Sequence, residues 1–277
     1  MLIAAVLLQA AVAAPAFAPP LDTPLRIVAE RIETSPVERR YRLERLVRFH
    51  REGEGYRAEA VLLANATSGP EALGNLVERG LTALAGRTIV LHLDSRGQVI
   101  EVDDMAALWE RVCAHIAEAV SSRRSLSPDE SSMLATRLVA PLRALPPDRR
   151  RALLATLVTA AITADPVEAP GATAAVELPG TSPFGTPLTL AGTRRTEAAG
   201  SLLRITTTAT ATVTLPPEGP APARTGSVSL KRIRTVDPRT GLLATATDTV
   251  RNLAGTRETR LVTHTRVEIA SPSAWPR

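Results

Sequence analysis

The sequence predicts an α+β fold: an antiparallel sheet of about eight strands, drawn from the N- and C-terminal parts of the chain, packed against a helical middle segment. Three observations predict it. Residues 25–64 and the stretch beyond residue 188 alternate apolar and polar side chains with the period of two that turns one face of a strand toward a core. Residues 71–165 switch mainly to spacings of three and four, the period of an amphipathic helix. The order (strands, then helices together, then strands) is that of an α+β chain, not of alternating βα units. With no repeat of 20–50 residues, the reading is a single domain over 19–277. Its parts are strands in 19–64, mainly helix with one hairpin in 65–165, and strands with Pro- and Gly-rich loops in 166–277.

Residues 1–18 stand apart as an expected signal peptide. No charged residue precedes Asp22, and the apolar run is shorter than the roughly 20 residues that cross a bilayer. It ends in Ala16-Phe17-Ala18, the small-x-small pattern of a cleavage site, with Pro15 just upstream. The expectation is a cut after Ala18, loss of Phe17 with the signal, and a periplasmic or secreted mature chain. The only cysteine, Cys113, excludes an internal disulfide, so such a chain must rely on its core.

Element by element, Val37–Phe49 is the clearest strand. Tyr41, Leu43, Val47 and Phe49 share one face, and Glu38, Arg40, Arg42, Glu44 and Arg48 share the other, as in a sheet with one wet face. Gly53-Glu54-Gly55 turns the chain into a return strand, Tyr56–Leu63. Leu73, Leu76, Val77, Leu81 and Leu84 form a helical stripe, and a hairpin pairs Ile89–Leu93 with Gln98–Val102 through Asp94-Ser95-Arg96-Gly97.

Three helices are expected next. The first, over 104–121, carries Met105, Leu108, Val112, Ile116 and Val120, with Cys113 on its apolar side as a buried small hydrophobe. The second opens on Ser127-Pro128-Asp129-Glu130, a capping box with proline at the first helical position. Its expected core face is Leu134, Leu138, Leu142 and Leu145. The third begins after Pro146-Pro147-Asp148 and buries Leu153, Leu154, Leu157, Val158, Ala161 and Ile162. Residues 165–187 read as a long connection. Leu203–Leu215 alternates threonine with small apolar residues, a β-branched pattern suited to a strand. Residues 216–225, rich in proline, read as a loop. The chain ends as a meander over about 226–236, 242–251 and 257–269, with Asp237-Pro238-Arg239-Thr240-Gly241 as its first turn.

Composition narrows function by exclusion. Of 33 Lys and Arg residues only Lys231 is lysine, and the net charge is just +5. With no dense basic stripe and only 3% aromatic residues, the chain lacks the phosphate-binding and base-stacking surfaces that nucleic acid requires. His50, His92, His115 and His264 have no partner at ligand spacing, so neither a metal nor a cofactor is expected. Asp103-Asp104 reads as a helix cap, and Arg149-Arg150-Arg151 as a solvated face. The serine-elbow, phosphate-loop and Rossmann glycine patterns are all absent.

The whole of 19–277 resembles a type of uncharacterised exported protein of proteobacteria. The resemblance is carried by the short hairpin Asp94 to Val99 and by the late meander turn Asp237 to Leu242. At a greater remove, a sheet wrapped over helices is similar to the periplasmic lipoprotein-carrier half-barrel, which implies an apolar interior. That similarity is architectural and assigns no residue a role.

The resulting expectation is a non-enzymatic binding protein for an apolar ligand or an envelope protein partner. The alternatives are an enzyme whose site no motif reveals, or a purely structural or interaction module. The residues expected to line a ligand are Tyr41, Leu43, Arg45 and Val47, with Leu203 and Ile205 as further candidates. Arg45 has the parity of the buried face, where an unpaired charge is costly, so it is the candidate reader of an anionic head group.

Overall fold

The computed structural model describes residues 17–35, 37–68, 76–121, 127–163, 167–216 and 223–276. Its framework is one antiparallel sheet of eleven strands: β1 Leu25–Thr34, β2 Glu38–Glu52, β3 Gly55–Ser68, β4 Thr88–Leu93, β5 Val99–Val102, β6 Thr173–Thr181, β7 Pro187–Ala199, β8 Leu202–Leu215, β9 Arg224–Asp237, β10 Leu242–Ala254 and β11 Arg257–Ile269. The helices are α1 Leu76–Leu81, continued by a 3-10 turn at Thr82–Leu84, then α2 Met105–Ser121, α3 Pro128–Arg143 and α4 Pro147–Thr159.

The strand order is β5-β4-β3-β2-β1-β11-β10-β9-β8-β7-β6. Each half is a meander of sequence neighbours, and the two halves are joined where β1 pairs with β11. α2, α3 and α4 lie in the chain between the two edge strands, β5 and β6, and α1 lies between β3 and β4; together they cover the inner face of the N-terminal half. Trp109, Val112, Cys113 and Ile116 of α2 and Leu154, Leu157 and Val158 of α4 form one core with Ile27, Val47, Phe49, Ala58, Ala60, Ile89 and Leu91 of the sheet. Among the described residues no helix is long and apolar enough to cross a membrane.

This architecture corrects the expected α+β fold of eight strands. Strand accounts for 53% and helix for 24% of the structure, in one eleven-stranded sheet with a few short helices. The Ile89–Leu93 hairpin is not part of a helical layer: β4 pairs with β3 in the register Tyr56↔Leu93, so both its strands extend the sheet to its edge. The 165–187 stretch contains β6, which also joins the sheet. β6 escaped notice because it is an edge strand of small residues with Pro179 inside it. An edge strand needs to bury little, and its free side tolerates proline's missing donor.

The local grammar elsewhere holds. Ser127 accepts from the Glu130 amide while the Glu130 carboxylate accepts from the Ser127 amide, so the capping box forms. Gly97 and Gly241 close their turns with φ of 80° and 70°. The core face of α3 differs from expectation: Ser131, Ala135 and Val139 are buried, and Leu134, Leu138, Leu142 and Leu145 are only half-buried. α3 packs against α2 instead of the sheet, and small residues let two helices approach closely. Residues 1–16, and 217–222 within the expected proline-rich loop, lie outside the described residues.

Candidate functional site

The register sets which side chains share the inner face. Leu25 and Ile27 of β1 are buried there, and the same parity continues through Ala29 to Arg31. Opposite them on β2 stand Val47, Arg45, Leu43 and Tyr41. A bulge at Leu63, beside the Glu44–Arg45 step, shifts the register of β3 at this point.

Between this face and the helices lies a cavity of about 320 Å³, within the range of small-molecule sites. The sheet contributes Ala29, Arg31, Tyr41, Leu43, Arg45, Thr263 and Thr265. The opposite wall comes from Val77, Arg79 and Leu81 of α1 and from Leu153, Thr156 and Ala160 at α4. Arg42 also borders it. The wall is thus apolar, interrupted by four arginines and, among the described lining residues, by no carboxylate. Arg31 and Arg45 have polar or electrostatic partners within the protein. An anion in the cavity would share these guanidinium groups with those partners. Arg45 is only 3% exposed, so its charge acts where water screens it poorly.

The structure brings together three of the four expected lining residues, Tyr41, Leu43 and Arg45. Val47 shares their parity but lies further along β2, fully buried in the main core. Leu203 and Ile205 pack in a separate cluster with Val236 and Leu243. Arg31, Arg79, Leu81 and Leu153 went unforeseen. For Arg31 the signal was present: it follows Leu25, Ile27 and Ala29 at the same spacing that marked Arg45.

Further along the same face opposite charges are paired within the protein. Cross-strand register runs Arg31–Thr263–Asp248–Arg232–Thr207–Arg194 from β1 across to β7. Arg232 and Arg234 meet Asp248 at 3.3 and 3.7 Å, and Arg194 pairs with Glu168, which also accepts from Thr196. The Arg194 hydrogen bond outweighs burial and holds the Glu168 carboxyl below its usual range. This row spends its charge on the fold, whereas the N-terminal half keeps space beneath its arginines. A second hollow of about 350 Å³ lies on the outer face, lined by Arg26, Glu30, Arg42, His264, Arg266 and Glu268. It mixes both signs of charge and lacks an apolar wall comparable to that of the inner cavity.

The remaining candidates resolve into structural roles. Burial pushes the Cys113 thiol up, away from the reactive thiolate. Arg150 donates to the carbonyls of Leu145 and Arg143, closing the end of α3, so the basic triplet is not simply a solvated face. Asp103 meets His92, whose other ring nitrogen meets Glu52. Among the described residues no group of three His, Cys, Asp or Glu side chains has metal-site geometry. No protein-family model matches the chain, and no curated protein matches it.

Proposed function

We propose that this chain is an exported, periplasmic or secreted binding protein for an amphiphile, with the apolar chain held between the sheet and the helices and the anionic head held by arginine. The observation that carries the reading is the cavity itself: Tyr41, Leu43, Val77, Leu81 and Leu153 supply apolar wall, and Arg31, Arg45 and Arg79 supply positive charge. About ten buried methylenes at ~0.8 kcal/mol each give ~8 kcal/mol, the free energy of a micromolar complex before association costs. Such a site needs no sequence motif. Helices packed on the inner face of the N-terminal half of the sheet also support the reading, because the half-barrel resemblance implies helices against a sheet with an apolar interior.

Native mass spectrometry and lipid extraction of the protein purified from its own cell envelope test this. Co-purifying lipid is expected, and Leu43→Asp should release it by placing a carboxylate in the apolar wall. The Arg40→Ser change, at an exposed position whose guanidinium pairs with Glu38, should leave it bound. A protein that arrives empty, ignores fluorescent fatty acids and captures one envelope protein would replace this reading with an interaction module.

A further inference from the structure

We propose that export processing cuts between Ala16 and Phe17, so that the mature chain begins with Phe17 and uses it as part of the core. This rests on the export reading above and differs from the cut after Ala18 that the small-x-small pattern first suggests.

The structural argument is that Phe17 is built into the fold. It is 5% exposed and belongs to the main core. Its ring meets Phe49 of β2 edge-on at 5.6 Å and Tyr56 of β3 edge-on at 5.1 Å, a geometry that aromatic pairs favour. The buried Tyr56 hydroxyl donates to the Phe17 carbonyl at 2.9 Å. A Cβ placed on Gly97 would come within 2.9 Å of the Phe17 ring, so the β4–β5 turn leaves room for that ring. The next residue continues the attachment: the Ala18 amide donates to the Thr240 carbonyl at 3.0 Å, in the β9–β10 turn. A cut after Ala18 would remove the ring from between Phe49 and Tyr56 and strip the Tyr56 hydroxyl of its acceptor.

The chemical argument is independent. Ala14-Pro15-Ala16 places small residues before the Ala16–Phe17 bond as Ala16-Phe17-Ala18 does before the Ala18–Pro19 bond. The two bonds differ in the residue on their C-terminal side. Pro19 presents a ring nitrogen with no N–H, which denies a peptidase a main-chain hydrogen bond beyond the scissile bond and restricts the residue before it. Phe17 presents an ordinary secondary amide. Water adds at the Ala16 carbonyl carbon and the C–N bond to Phe17 breaks. The products are the Ala16 carboxylate and, with the proton transferred to nitrogen, the Phe17 amine.

The test is intact mass and N-terminal sequencing of the protein exported from its full-length gene. A chain starting at Phe17 is the expected result. A start at Pro19, or at any other processed position, overturns the proposal and leaves export standing, whereas full-length chain beginning at Met1 in every fraction overturns export itself. Ala18→Leu separates the two bonds: processing at Phe17 should continue unchanged, and accumulation of precursor would count against it. In the mature chain Phe17→Ala should lower Tm by roughly 10 °C; an unchanged Tm would mean that Phe17 is dispensable to the fold.

Discussion

The indole N–H of Trp109 donates to the carbonyl of Leu142 at 2.9 Å, tying the second turn of α2 to the last turn of α3. Trp109 is 1% exposed, and Leu142 lies one turn after Val139 and beside the helix-interior Pro141. The same carbonyl also accepts from the Leu145 amide at 3.2 Å, so both of its lone pairs are used at the helix end. A salt bridge between Arg143 and Glu110 lies alongside.

Trp109→Phe keeps much of the apolar volume and deletes the donor, and should cost about 1–2 kcal/mol. Trp109→Ala adds a cavity in the main core, and should cost about 3–5 kcal/mol. Urea midpoints of the two variants check this; equal costs would mean that the hydrogen bond, and not the packing, dominates.

His92 predicts a pH dependence. Its Nδ1 lies 2.6 Å from Glu52 and its Nε2 3.0 Å from Asp103, so both ring nitrogens are best used when both carry protons. The hydrogen bond to Glu52 is the main cause that raises its pKa, against the opposing effect of burial, and Asp103 adds to it. Because the folded-state value is raised, the imidazolium's stabilisation is complete below the ordinary value near 6.5 and is lost as pH climbs through the higher folded value. Both carboxylates are about half exposed, so the effect should be about 1 kcal/mol or less. Urea midpoints across pH 5.5–8.5 should fall with rising pH in the parent chain and fall less in His92→Gln; parallel curves would remove His92 from that role.

Much of the local structure was legible because it is written in short-range terms. The Ser127–Glu130 capping box, the Asp94–Gly97 turn and the alternation of Tyr41, Leu43, Arg45 and Val47 each depend on residues a few positions apart. What the sequence concealed is pairing at a distance. The Ile89–Leu93 hairpin announces its own turn but not that Leu93 will stand opposite Tyr56. Asp103 reads as a cap, and only the fold brings it to His92, 11 residues away, and brings Glu52 to the same ring from 40 residues away.

The site shows the same division. Parity assigned Arg45 to the inner face, and that placement follows from the strand alone. Parity cannot tell how far the helices extend, which is why Val47 lies beneath the main core while Leu43 borders open space. Arg79 and Leu153 enter from α1 and α4, and nothing in the β2 sequence points to them.

Arg45 offers the sharpest test of how that space is used. It is nearly as buried as the apolar residues around it, and it borders a cavity whose described lining holds no carboxylate. Arg45 already has a partner within the protein, so a ligand's anionic head that shares its guanidinium gains a charge-assisted hydrogen bond at the lower end of about 1.5–3 kcal/mol net. Its apolar chain gains only from the area it buries. Decanoate and decanol share the chain and differ in the head, so the ratio of their dissociation constants isolates the head group. The parent protein should favour decanoate by about tenfold or more, since each 1.4 kcal/mol is one factor of ten. Arg45→Met keeps the length of the side chain and removes the charge, and should bring the ratio near one while leaving decanol binding within about threefold. Reading a ratio cancels any general loosening of the cavity. A preference for decanoate that persists in Arg45→Met would move the head-group contact to Arg31 or Arg79, and the same measurement on Arg79→Met would then decide between them.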